Sequence, residues 1–443
     1  MSPLRRLLPE RLQDQLTYSP AMRGISARVA ATLAGLMPNP QARLRWLTRA
    51  LEMGEQLALH RKLAGRLQLG GVFADRVPWM ATVRASGRYQ EHFRRRTTLN
   101  RSIILKAPGG DGEKGLLLMT FEYNWARLCL GLNEAELAWM AARFNFVFSA
   151  SWSPTDYAVL GLAVASLPDT LFVQSCNYSE RQRIESFHPR LKCLETLPCD
   201  WISPESHVPK SLGDRRIDLL MVANWGRFKR HWEFFEVLSR LPAGLNVVLV
   251  GQPAEGRDSE FIRRLAQDKG VRQQLTIHEC LPIHEVAALQ ADARVSVIMS
   301  RREGCCVAAV ESLMAGCALA MRDDAHVGPV TYIHPQTGAR LRPGHLAEDL
   351  QNLLQRTSEI QSREWCLQNA CGDRSWAKLN QLMRVHETAN ARPWHQDIAV
   401  PCWRPHPTFR HVEEQQRLRP VYQDLHQRFP QVFAEDLWEN SWK

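Results

Sequence analysis

Between residues 300 and 321 the chain reads SRREGCCVAAVESLMAGCALAM, with two glutamates, Glu303 and Glu311, eight positions apart. Glu303 follows the apolar run VSVIMS and stands in a turn, whereas Glu311 stands inside a segment of helical spacing. Backbone N–H groups at the start of such a helix favour a phosphate, and a carboxylate one or two turns further in can reach neighbouring hydroxyls. A sugar nucleotide presents both groups. Two acids at this spacing carry no information alone; the strand before them, the helix around the second and the small-residue tail give the pattern its meaning.

The segment resembles the "glycosyl transferases group 1" enzymes of glycosyltransferase family 4, whose pattern E-G-F-G-x-x-x-x-E-A-M-A-x-G is met here by E-G-C-C-V-A-A-V-E-S-L-M-A-G. Both acids are kept, as are Gly304 and Gly316. The resemblance implies that Glu303 contacts the donor sugar and steadies the positive charge developing at its anomeric carbon. It implies that Glu311 hydrogen-bonds the ribose hydroxyls, and that the backbone of Gly304, Cys305, Cys306 and Val307 lies against sugar and diphosphate. Many relatives carry glycine where Cys306 stands, so a side chain there alters which donor fits or how it lies.

A second match lies upstream, where VANWGRFKRHWEFF answers a strand, V-G-R-L and then K-G before a helix. It places Lys229 at the family's lysine position, where a concentrated positive charge suits a departing diphosphate. Asn224 replaces the family's arginine and Arg230 its glycine, which leaves Arg227 or Arg230 as the partner cation. Downstream, RDDAHVGPVTYIHPQTGARLRPG resembles the segment ending G-x-L-V-x-P-G, so Gly338, Pro343 and Gly344 are expected in turns. Asp323 and Asp324 are assigned to turns and helix caps. Ser312, in place of the common alanine, is expected to change little. The resemblance spans about residues 217–372 and implies no metal and no cofactor, with a nucleotide-diphosphate sugar as co-substrate.

The elements that must hold these residues alternate as βα units. From residue 217 the order is IDLLMVA, helix WEFFEVLSRL, NVVLVG, helix DSEFIRRLAQDKG, LTIHEC, helix HEVAALQADA and VSVIMS, followed by a helix from about Val307 to Met314, ALAMRD and helix AEDLQNLLQR. Such alternation argues for a parallel sheet with helices on both faces and ligands beyond the carboxyl ends of its strands. Residues 100–205 read as a less regular half, with strands SIILKA, GLLLMTF, FVFSA, LFVQSC and KCLETL and helices in LNEAELAWMAARF and TDYAVLGLAVASL. The glycine-rich APGGDGEKG lacks a phosphate-loop pattern and reads as a surface hairpin. Strand ends FEYNW and SASWSPTDY make Glu122, Asn124, Ser151 and Asp156 acceptor-side candidates.

The expected fold is α/β, with two Rossmann-like domains facing a cleft, the GT-B plan that the resemblance implies, and an additional N-terminal helical region. The expected divisions are 1–99 helical, 100–205 acceptor domain, 206–216 linker, 217–375 nucleotide-sugar domain and 376–443 C-terminal extension. Residues 26–69 carry leucines at helical spacing, broken near Gly54.

With 443 residues, a formal charge of +10 and ordinary apolar content, the chain suits a multi-domain globular enzyme attracted to something anionic. Arg94, Arg95, Arg96 and Arg101 cluster, as do Arg5, Arg6 and Arg11. An anionic membrane surface is one partner this charge allows. The opening MSPLRRLLPERLQDQ lacks a signal's apolar core, and no apolar stretch is long enough to span a bilayer, so a cytoplasmic place, peripheral at the inner membrane face, is expected. Eleven scattered cysteines show no metal spacing and read as reduced thiols, and fifteen histidines show no HExxH.

The function expected is therefore a retaining, metal-independent glycosyltransferase moving a sugar from a nucleotide donor to a saccharide or glycolipid acceptor, in cell-surface polysaccharide or lipopolysaccharide assembly. Two alternatives stand beside it. A sugar-nucleotide epimerase of the same architecture needs an acid/base residue beside the sugar and no acceptor. A non-enzymatic nucleic-acid binder needs a basic stripe interleaved with aromatics, and no such stripe is present; nucleic acid is not an expected partner.

Overall fold

A computed structural model describes residues 9–90, 102–404 and 406–433. Arg5, Arg6, Arg94, Arg95, Arg96 and Arg101 lie outside the described residues, while Arg11 is exposed on the helix Glu10–Tyr18. The chain divides into two compact units, one made of Met1–Pro198 with Trp376–Lys443 and the other of Cys199–Ser375. All eleven cysteines are free thiols. Among the described residues no helix is long and apolar enough to cross a membrane.

In the first unit, β1 (Ser102–Lys106) runs antiparallel to β2 (Gly115–Thr120), and β3 (Phe144–Ser149), β4 (Leu171–Gln174) and β5 (Leu191–Cys193) follow parallel, in chain order. The glycine-rich stretch 107–114 joins the antiparallel pair, and the buried Lys106 ammonium lies 2.6 Å from Glu113 across it. Every residue of β2, β3 and β4 is buried, so both faces of the sheet are covered. Right-handed crossovers between strands in chain order put helices on one face. The end of the chain closes the other: Asn145 Nδ2 donates to Glu387 at 3.0 Å, and the backbone N–H of Ile104 donates to the Tyr422 hydroxyl at 2.9 Å.

The N-terminal helices Pro20–Leu36, Pro40–Met53, Leu57–Leu69 and Val77–Ser86 form a further layer, with a break at Gly54. Beneath them lies the helix Tyr157–Ser166, YAVLGLAVAS, buried from Tyr157 through Val164. A helix covered on both sides has no use for a polar stripe, which is why this segment shows no amphipathic period. Its one glycine, Gly161, leaves room for the indole of Trp79; a Cβ there would lie 2.2 Å from the ring. Trp79 is fully buried and donates its Nε1–H to Val72 O at 2.7 Å.

The second unit is wound in both directions from a central strand. Its strands β6 (Ile217–Val222), β7 (Asn246–Gly251), β8 (Gln274–Glu279), β9 (Ala293–Ile298), β10 (Ala318–Arg322) and β11 (Gly338–Leu341) are all parallel, in the order β11-β10-β9-β6-β7-β8. The chain steps outward from β6 to β8, then returns to β6's other side at β9, so the winding reverses between β6 and β9. Alternate residues serve the two faces: Leu219, Met221, Val247 and Val295 pack with Phe234, Phe235 and Leu350, whereas Leu220, Val248 and Val250 pack with Ala315 and Cys317. Gly338, expected in a turn, instead opens β11, where a Cβ would meet Leu319 O at 1.9 Å. Gly344, at φ +90°, does sit in the turn that follows.

Gly161→Ala is expected to destabilise the first unit by about 1–3 kcal/mol, because the added methyl and the Trp79 ring cannot both keep their places. Urea unfolding followed by tryptophan fluorescence measures it, and an unchanged midpoint would show that Trp79 does not depend on this cleft.

Candidate active site

The reversal between β6 and β9 opens a crevice at their carboxyl ends, the place where doubly wound sheets bind ligands. After β6 the chain is pinned by Trp225, fully buried, whose Nε1–H donates to Glu279 at 2.6 Å. Asn224 Oδ1 accepts from the backbone N–H of Gly226 at 3.1 Å, and a short 3₁₀ turn, Arg227–Lys229, follows. After β9 the chain runs through Ser300 to Glu303. The two strand ends bring Lys229 Nζ to 2.5 Å from Glu303 Oε2, although the residues are separated by 74 positions.

The same oxygen accepts from the Ser300 hydroxyl at 3.0 Å, while Oε1 is buried and takes no hydrogen bond of adequate geometry. Burial pushes the Glu303 carboxyl up, but the Lys229 ammonium, with the Cys306 thiol and the Ser300 hydroxyl, outweighs it and holds the group below its ordinary value. Burial likewise works against the charge on Lys229, and Glu303 more than restores it. Next to Lys229, the imidazole of His231 is pushed down to about 3 by burial and by the cations Lys229 and Arg257, so it stays neutral.

Glu303 leads through Gly304, Cys305 and Cys306 into the helix Val307–Met314. Cys306 is the N-cap and adopts a left-handed conformation, φ +44° and ψ 60°, of the kind a side chain makes costly by roughly 1–2 kcal/mol. Arg230, at the start of the helix His231–Leu238, does the same at φ +60°. Both positions are glycine in the family pattern; this chain keeps the bends and adds side chains. The N–H of Ala309 closes back on Cys306 O at 3.1 Å, and the N–H groups of Val307 and Ala308 before it, which lack a partner within the helix, suit an anion.

Glu311 is buried in the next turn of that helix, and among the described residues its hydrogen-bond partner is the neutral Gln290. Burial pushes its carboxyl up to about 7 against the opposing hydrogen bond from Gln290. Ser312 ties the helix to β9 through a 2.8 Å bond to Ser296, both hydroxyls being fully buried. That tether gives Ser312 a job the sequence did not reveal.

Of the two cations considered beside Lys229, Arg230 is committed: it is buried and holds Glu233 through Nε at 3.0 Å and Nη2 at 2.9 Å. Glu233 also pairs with Arg322 at 2.6 Å, and Arg322 with Asp324 at 2.8 Å, while Arg301 reaches Asp324 at 3.2 Å. Asp324 therefore serves this network at the ends of β9 and β10 and is not a helix cap. Arg227 is half-buried on the same turn as Lys229, its backbone N–H donating to Glu255 at 3.0 Å. Among the described residues, no group of His, Cys, Asp and Glu side chains is arranged to hold a metal ion.

The acceptor-side candidates all lie in the first unit. Glu122 does not end a strand; it opens the helix Glu122–Gly131. It is fully buried, accepts from Trp152 N at 3.4 Å through Oε1 and has no hydrogen bond at Oε2. Burial, then the charge of Asp156, push it up to about 8. Asn124 donates through Nδ2 to Thr120 O at 2.7 Å and keeps a buried Oδ1 without a hydrogen bond, and Asp156 caps the helix Tyr157–Ser166 while accepting from Arg88 and Tyr89. Ser151, buried, follows β3. Unlike the second sheet, this one has no reversal of strand order to mark a crevice.

The sequence reading missed Ser300, Gln290, Arg301 and Arg322. Ser300, Arg301 and Arg322 stand at or just past the carboxyl ends of β9 and β10, which is the signal that points to them.

Residues 203–370 match the family model described as "Glycosyl transferases group 1". No curated protein matches the chain. Among solved structures it is similar to sucrose-phosphate synthase from Thermosynechococcus elongatus, at 16% identity and TM-score 0.48, over 62% of this chain and 74% of that one. TarM is matched at 11% identity and TM-score 0.47, over 61% of this chain and 54% of its own length. The lipopolysaccharide outer core galactosyltransferase WaaB, in its apo form, is matched at 13% and 0.44, over 57% of this chain and 74% of that one. The chain thus spans about half the length of TarM. The second unit, Cys199–Ser375, is thus a group 1 glycosyltransferase domain.

Lys229→Met leaves Glu303 buried without its cation and is expected to cost about 3–5 kcal/mol in denaturant unfolding, less in the double variant with Glu303→Gln. Additive losses would mean that the two side chains do not act as a pair. For Glu311 the folded-state value near 7 exceeds the ordinary 4.5, so its stabilising contribution is full below 4.5 and is lost as pH rises through 7. Glu311→Gln should therefore unfold like the parent at low pH and be more stable by about 1–3 kcal/mol at pH 8. Parallel curves across that range would disprove the buried neutral acid.

Proposed function

We propose that the chain is a retaining, metal-independent glycosyltransferase that moves a sugar from a nucleotide-diphosphate donor held in the second unit to a saccharide or glycolipid acceptor. The observation that carries this is the Lys229–Glu303 pair, 2.5 Å apart at the switch point of a doubly wound sheet and beside the start of the helix Val307–Met314. An ion pair is a ready-made resting state for two groups meant for other partners: the diphosphate takes the ammonium of Lys229, and the sugar's developing positive charge takes the carboxylate of Glu303. Glu303 Oε1, buried and lacking a hydrogen bond, fits a sugar hydroxyl. Glu311 receives the ribose hydroxyls, and the turn from Gly304 to Val307 lies along sugar and diphosphate.

In this reading the acceptor hydroxyl attacks the anomeric carbon from the face the diphosphate leaves. The carbon–oxygen bond to the diphosphate breaks, the new glycosidic bond forms, and a diphosphate oxygen takes the hydroxyl proton. Lys229 and the helix amides stabilise the leaving dianion. The side chains of Cys306 and Arg230, where the family has glycine, would set which donor is accepted, with Asn224 and Arg227 beside them. The acceptor belongs to the first unit, where Glu122 and Ser151 remain candidates at the carboxyl ends of β2 and β3. The role is assembly of cell-surface polysaccharide or lipopolysaccharide, at the cytoplasmic side and peripheral at the inner membrane face.

Thermal shift of the purified chain with UDP, GDP, ADP and CMP derivatives tests the donor site, with Glu311→Ala and Lys229→Ala alongside. One nucleotide should stabilise the parent and neither variant. No shift with any nucleotide, beside a clear shift with an oligonucleotide, would sink the transferase. With a donor in hand, Glu303→Gln and Lys229→Met should each lower kcat by about 10²–10³ without adding, and EDTA should leave the rate unchanged. NMR of the fresh product should show the donor's own anomeric configuration; inversion would rule out same-face transfer.

A further inference from the structure

The positive charge of this protein is concentrated at one end of the chain. Residues 1–101 hold 18 arginines and lysines against 6 aspartates and glutamates, whereas the other 342 residues hold 38 against 40. Among the described residues of that stretch, ten arginines and lysines are exposed, and Asp75 is the only exposed acid.

The helix pair Pro20–Leu36 and Pro40–Met53 carries this furthest. Its one acid, Glu52, is buried, while Arg28, Arg43, Arg45 and Arg49 are exposed. On the first helix Arg23, Ala27, Ala30 and Ala34 face inward, and the opposite stripe is apolar: Ile25 is 52% exposed, Val29 53% and Leu36 69%. On the second, Leu44, Leu47 and Leu51 face inward, and Trp46, 36% exposed, stands outward at one-turn spacing between Arg43 and Arg49. A polyanion in solution needs only the arginines and gives large apolar side chains nothing to do. A second copy of the chain would meet the same excess of positive charge. An amphipathic surface of arginine with aliphatic and tryptophan side chains suits a bilayer whose headgroups are anionic.

We infer that the outward face of this helix pair docks on an anionic lipid bilayer, with Ile25, Val29, Leu36 and Trp46 entering the headgroup layer and Arg28, Arg43 and Arg49 meeting its charge. The surface lies outside the group 1 domain, and it deepens the peripheral localisation proposed above by naming what makes the contact. It places the acceptor-handling unit on the membrane, so the acceptor class it serves is lipid-linked.

The test is co-sedimentation of the full chain with vesicles of phosphatidylcholine alone and of phosphatidylcholine with phosphatidylglycerol. Binding is expected to the anionic vesicles and not to the neutral ones, and to weaken with added salt. Arg28→Gln with Arg43→Gln should lower partitioning about thirtyfold, and Val29→Glu should lower it at least tenfold with the melting temperature unchanged. The nucleotide-induced thermal shift should persist in every variant, so that a failed donor site and a failed membrane surface are told apart. No binding to anionic vesicles, equal binding to both kinds, or binding to which Val29→Glu makes no difference would each overturn the proposal. So would a concentration-dependent dimer that Val29→Glu dissolves while vesicle binding is absent.

Discussion

A buried ammonium and a buried carboxylate hold each other only where the backbone leaves neither a way out, because removing both from water costs several kcal/mol per ion. The second unit meets that condition by strand order. Its chain leaves β6, builds outward to β8, and returns to lay β9 along β6's free side, so that the segments beyond these neighbouring strands carry Lys229 and Glu303 to 2.5 Å. The anchors around the pair follow the same logic: Trp225 fixes the first segment through Glu279, Ser300 fixes the carboxylate, and Ser312 fixes the helix that follows to β9.

Much of this was legible because parallel sheets announce themselves. The buried strands of the second unit read as short apolar runs, the helices between them as periodic segments, and the motif residues fall past the ends of β6 and β9. What the sequence could not show was which charges are already spent. Arg230 and Arg227 looked equivalent as partners for Lys229, yet Arg230 is locked to Glu233, and through it to Arg322 and Asp324. Such a network depends on side chains from three strand ends meeting, which one-dimensional spacing does not encode. The first unit was harder for a different reason. Glu122 and Asn124 were read as the end of a strand because the helix that begins at Glu122 follows β2 after a single residue, Phe121 at φ +65°.

Cys306 and Arg230 show how a family's geometry outlasts its residues. The left-handed bends before two helices are required by the turn from each strand, and glycine is only the cheapest way to make them. Filling both with side chains costs stability, and the proposed donor selectivity rests on these two departures from the family pattern. Glu311 bears a cost of another kind, since burial pushes its carboxyl up to about 7.

The first unit is assembled from both ends of the chain, Met1–Pro198 and Trp376–Lys443, whereas the second is a single run, Cys199–Ser375. On the ribosome the order of completion is therefore reversed: the second unit has all its residues while the earlier-begun first unit still lacks the helix Val412–Arg428 and the Glu387 carboxylate that close its sheet. Until those last residues emerge, β1 to β5 present an open apolar face to the cell. A stop codon placed shortly after Ser375 would therefore spare the second unit, whose residues form one run, and leave the first without the segments that close its sheet.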